Sequence, residues 1–205
     1  MPIFRPENKS GTGFLGYKKL GIISITDKSG KFDLADVYLE VEMKVENSQY
    51  NRNFYVSGGH EMSENGDIID SSLLKRIYHF FDAIGFEGGV NLKGEFEDKS
   101  GNVIKDIADY LNTNFTAPFP SEPNMNLVGY LYKEQPKANG DGRVYTRIHS
   151  YLQPSTDEGL ANLKDRIQFL KSKNFIKEVS ENSTNGVAVN KQVEAEVEGA
   201  ITEQL

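Results

Sequence analysis

The chain has 205 residues and 23.0 kDa, enough to bury one good core but not two independent ones. It contains no cysteine, which excludes disulfide frameworks, thiolate metal sites and cysteine nucleophiles and fits a reducing compartment. Its formal charge of −7 sits mainly at one end: from Glu178 to Leu205 six glutamates stand against Lys191 alone, a net −5 that leaves −2 for residues 1–177.

In chain order, the opening MPIFRPENKS lacks the apolar run of a signal peptide, and nowhere do about eighteen apolar residues follow one another. The expectation is a cytoplasmic chain that does not span a membrane, in which the Asn-x-Ser/Thr triplets at Asn8, Asn114 and Asn182 carry no glycosylation meaning. The first strand is expected over Leu20–Thr26, closed by the turn Asp27-Lys28-Ser29-Gly30; the same tetrapeptide at Asp98–Gly101 is shared turn chemistry and not a repeat. Ala35, Val37, Leu39, Val41, Met43 and Val45 alternate with polar residues and Tyr38, the signature of a strand with one buried face. A third strand is expected over Arg52–Ser57, ended by Gly58-Gly59.

Leu73, Leu74, Ile77, Phe80, Phe81 and Ile84 then form the stripe of an amphipathic helix starting near Asp70-Ser71 and stopping at Gly85. A second helical pattern runs through Val103, Ile104, Ile107, Ala108 and Leu111, before Pro118, Pro120 and Pro123 force an extended connection. Strands over Leu127–Gln135 and Arg143–Leu152 flank a turn-rich loop and read as a hairpin. Beyond Pro154, the cap candidates Ser155 and Thr156 precede a helix with Leu160, Leu163, Ile167 and Leu170 on one stripe. From Lys177 apolar periodicity fades.

The predicted class is mainly β (α+β). Three strands, a helix, an insertion and two strands make up the order of a five-stranded antiparallel OB-like barrel with its helix between strands three and four, followed by a C-terminal helix and a flexible acidic tail. An open antiparallel sheet packed on helices has the same order. The expected boundaries are an arm over 1–18, a core domain over 19–153 with an insertion at 85–125, a helix over 154–176 and the tail over 177–205.

The fifth strand carries the chemistry. Alternation turns Arg143, Tyr145, Arg147, His149 and Tyr151 outward and Val144, Thr146, Ile148, Ser150 and Leu152 inward, so rings and cations share a face. Rings offer π-faces to bases and guanidiniums meet phosphates, the mixture that holds single strands. The adjacent strand adds Tyr130, Tyr132 and Lys133, with Lys137 in the loop, and the second and third strands add Tyr38, Arg52 and Tyr55. Lys18 and Lys19 beside Tyr17 form a weaker group. Cross-strand tyrosine and arginine also make good plain sheet surface.

This strand order, the Arg143-Tyr145-Arg147 face and the acidic end through Glu194-Ala195-Glu196-Val197-Glu198 resemble phage-type single-stranded-DNA-binding proteins of the OB-fold class. The resemblance covers the layout of residues 20–153 and the character of the tail. It implies a non-enzymatic binder of single-stranded DNA in replication or recombination, acting in a host cytoplasm, with no cofactor. The tail would regulate the site or recruit replication or recombination proteins, and self-association is open. The long 85–125 insertion and the close of the chain on Leu205 without an aromatic depart from that pattern.

Two other classes compete. A structural or virion assembly protein would use the same exposed tyrosines for protein contacts. A Mg²⁺-dependent nuclease would use Glu42-x-Lys44 with Glu40 and Asp36, although alternating charges on a wet strand produce that pattern freely. The string at Gly11, Gly13 and Gly16 lacks the strand before and the helix after that a nucleotide site needs. His60, His79 and His149 share no ligand spacing, and Asp27-Lys28-Ser29-Gly30 lacks a full calcium-loop series.

Overall fold

The alternation over residues 37–45 organises the fold: Val37, Leu39, Val41, Met43 and Val45 are buried, while Tyr38, Glu40, Glu42 and Lys44 are only partly covered. The computed structural model describes residues 15–33, 35–117, 123–136, 142 and 144–179. In chain order its elements are β1 (Gly16–Asp27), β2 (Val37–Val45), β3 (Arg52–Gly58), β4 (His60–Met62), β5 (Ile68–Ser71), α1 (Leu74–Ile84), β6 (Gly89–Val90), β7 (Phe96–Glu97), α2 (Ile107–Phe115), β8 (Leu127–Glu134), β9 (Tyr145–Ile148), β10 (Gln153–Pro154) and α3 (Asp157–Ser172). Among the described residues the architecture is α+β: one six-stranded antiparallel sheet, two small hairpins and three α-helices.

The sheet runs β3-β2-β1-β8, with β9 and β10 both paired to the far edge of β8. Ile22 of β1 opposes Met43 but Ser24 opposes Glu42, so Ile23 is the extra residue of a bulge. The bulge shifts side-chain parity, which is why Leu20, Ile22 and Ile25 face the core and Ser24 does not. It divides β1 between two partners, since β8 pairs only with Gly16–Leu20. The sheet curls until β3 and β9 come within 8 Å, Cα to Cα, but no hydrogen-bonded pairing joins them, so the described strands do not form a closed barrel.

Inside the curl lie Ile77, Phe80 and Phe81 of α1, packed on Leu39, Val41, Phe54 and Val56. The helix begins at Leu74, later than the Asp70-Ser71 expected, because Ile68–Ser71 is β5 and pairs with β4 in a hairpin that has no clear alternation in sequence. Ser71 nonetheless serves the helix start, its Oγ accepting the N–H groups of Leu73 and Leu74 at 3.1 Å each. Gly85 ends α1 at φ +77°.

The insertion holds the β6–β7 hairpin and α2. The latter starts at Ile107, because Val103 bridges to Glu97 and the Asp106 carboxylate caps the Asp109 N–H at 2.9 Å. The predicted C-terminal helix is present as α3, with the Thr156 hydroxyl accepting from the Gly159 N–H at 3.0 Å.

That helix lies on the outer face of β8, where Leu163, Ile167, Leu170 and Ile176 bury Val128 and Tyr130 in a second apolar cluster. The chain then returns to the sheet. Val179 N–H bonds the Lys133 carbonyl at 3.0 Å and Gln135 N–H bonds the Lys177 carbonyl at 2.9 Å, so residues 177–179 dock on the end of β8 instead of opening the tail. The rest of the acidic tail lies outside the described residues. Among those described, no helix is long and apolar enough to cross a membrane.

Candidate nucleic-acid interface

Tyr38 and Tyr55 project from the outer faces of β2 and β3 because both alternate with core residues, Leu39 on one strand and Phe54 and Val56 on the other. Their rings lie 5.7 Å apart, and Phe32, just beyond the first turn, adds a third ring 4.5 Å from Tyr38. Phe32 is 48% exposed and Tyr55 39% exposed, so this chain of rings faces solvent. Sequence reasoning missed Phe32, which sits in a turn where no periodicity assigns it a face.

Across the gap between β3 and β9 stand Tyr145 and Arg147. The Arg147 guanidinium lies 5.4 Å from the Tyr145 ring centre and its Nε donates to Glu134 at 2.9 Å. Burial raises the Tyr38 hydroxyl above its ordinary pKa, and Tyr55 and Glu40 add to the rise; Lys28 and Arg147 are close enough to oppose it. The expected outward positions of Tyr145 and Arg147 hold, and Tyr145 is 44% exposed.

The other nominated residues fall elsewhere. Tyr130 has the predicted outward parity but is only 7% exposed, because α3 covers it. Its hydroxyl donates to Glu178 at 2.6 Å and accepts from Lys171 at 2.5 Å, while the Lys171 ammonium lies 4.5 Å from the ring centre. Burial, then the bond to Glu178, raises its pKa against the pull of Lys171. Tyr132 stacks on it at 6.1 Å and 13°, half-buried. These two rings are therefore packing for α3 and not an open platform. Tyr151 is also removed from the platform and packs beside α3.

Arg52 shares the parity of Phe54 and Val56 and not of Tyr55, and its Nη1 donates to the Asn51 carbonyl at 3.2 Å. Lys133 is partly covered at the end of β8, opposite Thr146. Lys137 and Arg143 lie outside the described residues.

The fifth strand is also shorter than expected. Regular pairing spans Tyr145–Ile148, Val144 is exposed instead of inward, and His149 is mostly covered instead of outward. The His149 N–H still bonds the Tyr130 carbonyl in register at 2.8 Å, and the chain leaves the ladder just beyond it, where the His149 Nδ1 accepts the Tyr151 N–H at 3.1 Å. Pairing resumes at β10.

The carboxylates that a metal nuclease would need are engaged singly. Glu40 pairs with Lys28 at 2.5 Å, Glu42 accepts from Asn51 at 2.7 Å and Asp36 from the His60 N–H at 2.6 Å. No group of three or more metal-ligating side chains is assembled among the described residues. The fold and this surface together define an α+β sheet protein with an aromatic and cationic outer face. No protein-family model, curated protein or solved structure matches the chain.

Proposed function

We propose that this protein binds single-stranded DNA on the outer face of β2, β3 and β9, and that it does so as an OB-type barrel of the phage single-stranded-DNA-binding kind. The observation that carries the reading is the run of Phe32, Tyr38 and Tyr55 on the outer face, each ring within 6 Å of the next, with Tyr145 and Arg147 across the gap to β9. Rings at that spacing offer stacking faces that any base can use, worth about 1–3 kcal/mol per base. Support for the barrel type comes from the strand order β3-β2-β1-β8-β9, the helix between β3 and β8, and the approach of β3 to β9.

Arg147 must leave Glu134 to meet a phosphate. Both side chains are substantially exposed, 47% and 34%, and such a pair contributes only about 0–1 kcal/mol, so the exchange costs little. The role is coating exposed strands during replication or recombination in the cytoplasm, with the acidic C-terminus available to partner proteins.

With ten tyrosines and no tryptophan, intrinsic tyrosine fluorescence reports stacking directly. Single-stranded oligonucleotide should quench it and duplex should do so weakly. Tyr55→Ala should weaken binding about tenfold without unfolding, since Tyr55 is already 39% exposed. A flat titration of the wild-type chain, with concentration-dependent self-association in its place, would transfer the case to an assembly protein.

A further inference from the structure

A second group of rings and cations forms where α1 and α3 flank the segment after β9. Arg166 of α3 lies 6.0 Å from the Tyr151 ring centre and 5.7 Å from that of Phe169. Lys173 adds a second cation to Phe169, 6.0 Å from its ring centre. From α1, His79 meets Tyr151 edge to face at 5.2 Å. Lys75 and Arg166 both act on the His79 ring, with Asp82 as the opposing charge. Burial first, then Lys75, holds His79 below the usual histidine range, so near neutral pH it presents a ring and not a charge.

Phe169 is 47% exposed on an otherwise polar helix flank, between two cations. A single exposed ring needs no explanation by itself; what sets Phe169 apart is that Arg166 and Lys173 both stand within about 6 Å of its ring centre. The group connects to the platform through one segment of backbone, since Tyr145 and Tyr151 are six residues apart and span at most about 20 Å when extended.

We infer that the α1–α3 seam, with Arg166, Phe169 and Lys173 set beside the packed ring of Tyr151, is a second contact for the same nucleic-acid strand, occupied only when the strand is long enough to run past β9. The inference rests on the single-stranded-DNA reading of the first platform. Its chemistry is that of a strand's own repeat: ring faces take bases and the guanidinium and ammonium groups take phosphates. One such fold covers about 4–16 nucleotides, which allows one strand to meet both groups.

Oligothymidylates of about 5 and about 15 nucleotides separate the two contacts by length. The wild-type chain should bind the longer more tightly, beyond the gain expected from extra binding registers. Arg166→Ala and Phe169→Ala should weaken the longer oligonucleotide about tenfold and change the shorter less than about twofold. Tyr55→Ala should weaken both. Thermal melts of each variant verify folding, and if Arg166→Ala melts early, Phe169→Ala, a change at an exposed ring, decides alone. Equal titration of variant and wild type with the longer strand would overturn the second contact while leaving the first intact. Absence of binding at either length, or an inert Tyr55→Ala, would instead remove the platform and the seam together.

Discussion

His149 shows what a single side chain contributes where the fifth strand breaks. Its Nδ1 accepts the Tyr151 N–H, a bond that requires that nitrogen to be unprotonated, and burial, then the charge of Arg166, pushes its pKa down to about 4. The unfolded chain binds this proton near pH 6.5, so between about 6.5 and 4 the unfolded state holds more protons than the folded one and stability falls as pH falls. The loss should be on the order of 2–3 kcal/mol, allowing for solvent screening of the uncovered part of the ring. Urea denaturation at pH 7.5 and pH 4.5 tests it. His149→Asn keeps an acceptor and removes the titration, so its stability should vary less between the two conditions; an equal loss in both proteins would place the acid sensitivity elsewhere.

At the scale of elements, Asn112 explains how α2 is joined to the sheet. Past the bulge β1 has no neighbour in β8, and the side chain of Asn112 takes the place of a strand: its Oδ1 accepts the Ile25 N–H at 2.8 Å and its Nδ2 donates to the Ile25 carbonyl at 2.7 Å. Asn112→Ala leaves both backbone groups of a largely buried residue without partners. It should lower unfolding free energy by about 2–4 kcal/mol, whereas Asn114→Ala, which loses only a bond to the Tyr110 carbonyl within its own helix, should cost less than about 1 kcal/mol. Chemical denaturation of the two variants side by side checks the contrast.

The same scale explains what was legible in the sequence. Local signals were: the alternation of β2, the Thr156 cap of α3 and the Gly85 stop of α1 are each set by neighbours a few residues away. Outward parity for Tyr130 was legible too, but the choice of α3 to lie on that face depends on residues 163–176, and no spacing in β8 records it. Phe32 and the Arg166–Phe169–Lys173 strip were missed for the complementary reason. One lies in a turn, and the other acquires its meaning only beside Tyr151 and His79 from elsewhere in the chain. The Lys171–Glu178 ion pair at 3.1 Å, which ties the end of α3 and residues 177–179 to Tyr130, has one partner in the predicted helix and the other past Lys177, where apolar periodicity had already faded.

For the whole molecule the question is how a chain of net charge −7 holds a polyanion. The proposed binding mode separates stacking from charge. Rings are insensitive to salt, while each phosphate neutralised adds about −0.7 to the slope of log K against log salt on single strands. Of the nearby carboxylates, Glu40 and Glu178 are already paired with Lys28 and Lys171 and add little repulsion, whereas Glu134 gives up Arg147 when that guanidinium meets a phosphate. If Arg147, Arg166, Lys173 and one or two further cations each meet a phosphate, a strand of about 15 nucleotides should show a slope of about −2.8 to −3.5. Arg166→Ala should then make that slope shallower by about 0.7, and Tyr55→Ala should shift the whole line to weaker binding with its slope kept. Parallel lines for both variants would mean that Arg166 contributes packing and not charge, and a slope near zero for the wild type would mean that the strand is held without its phosphates.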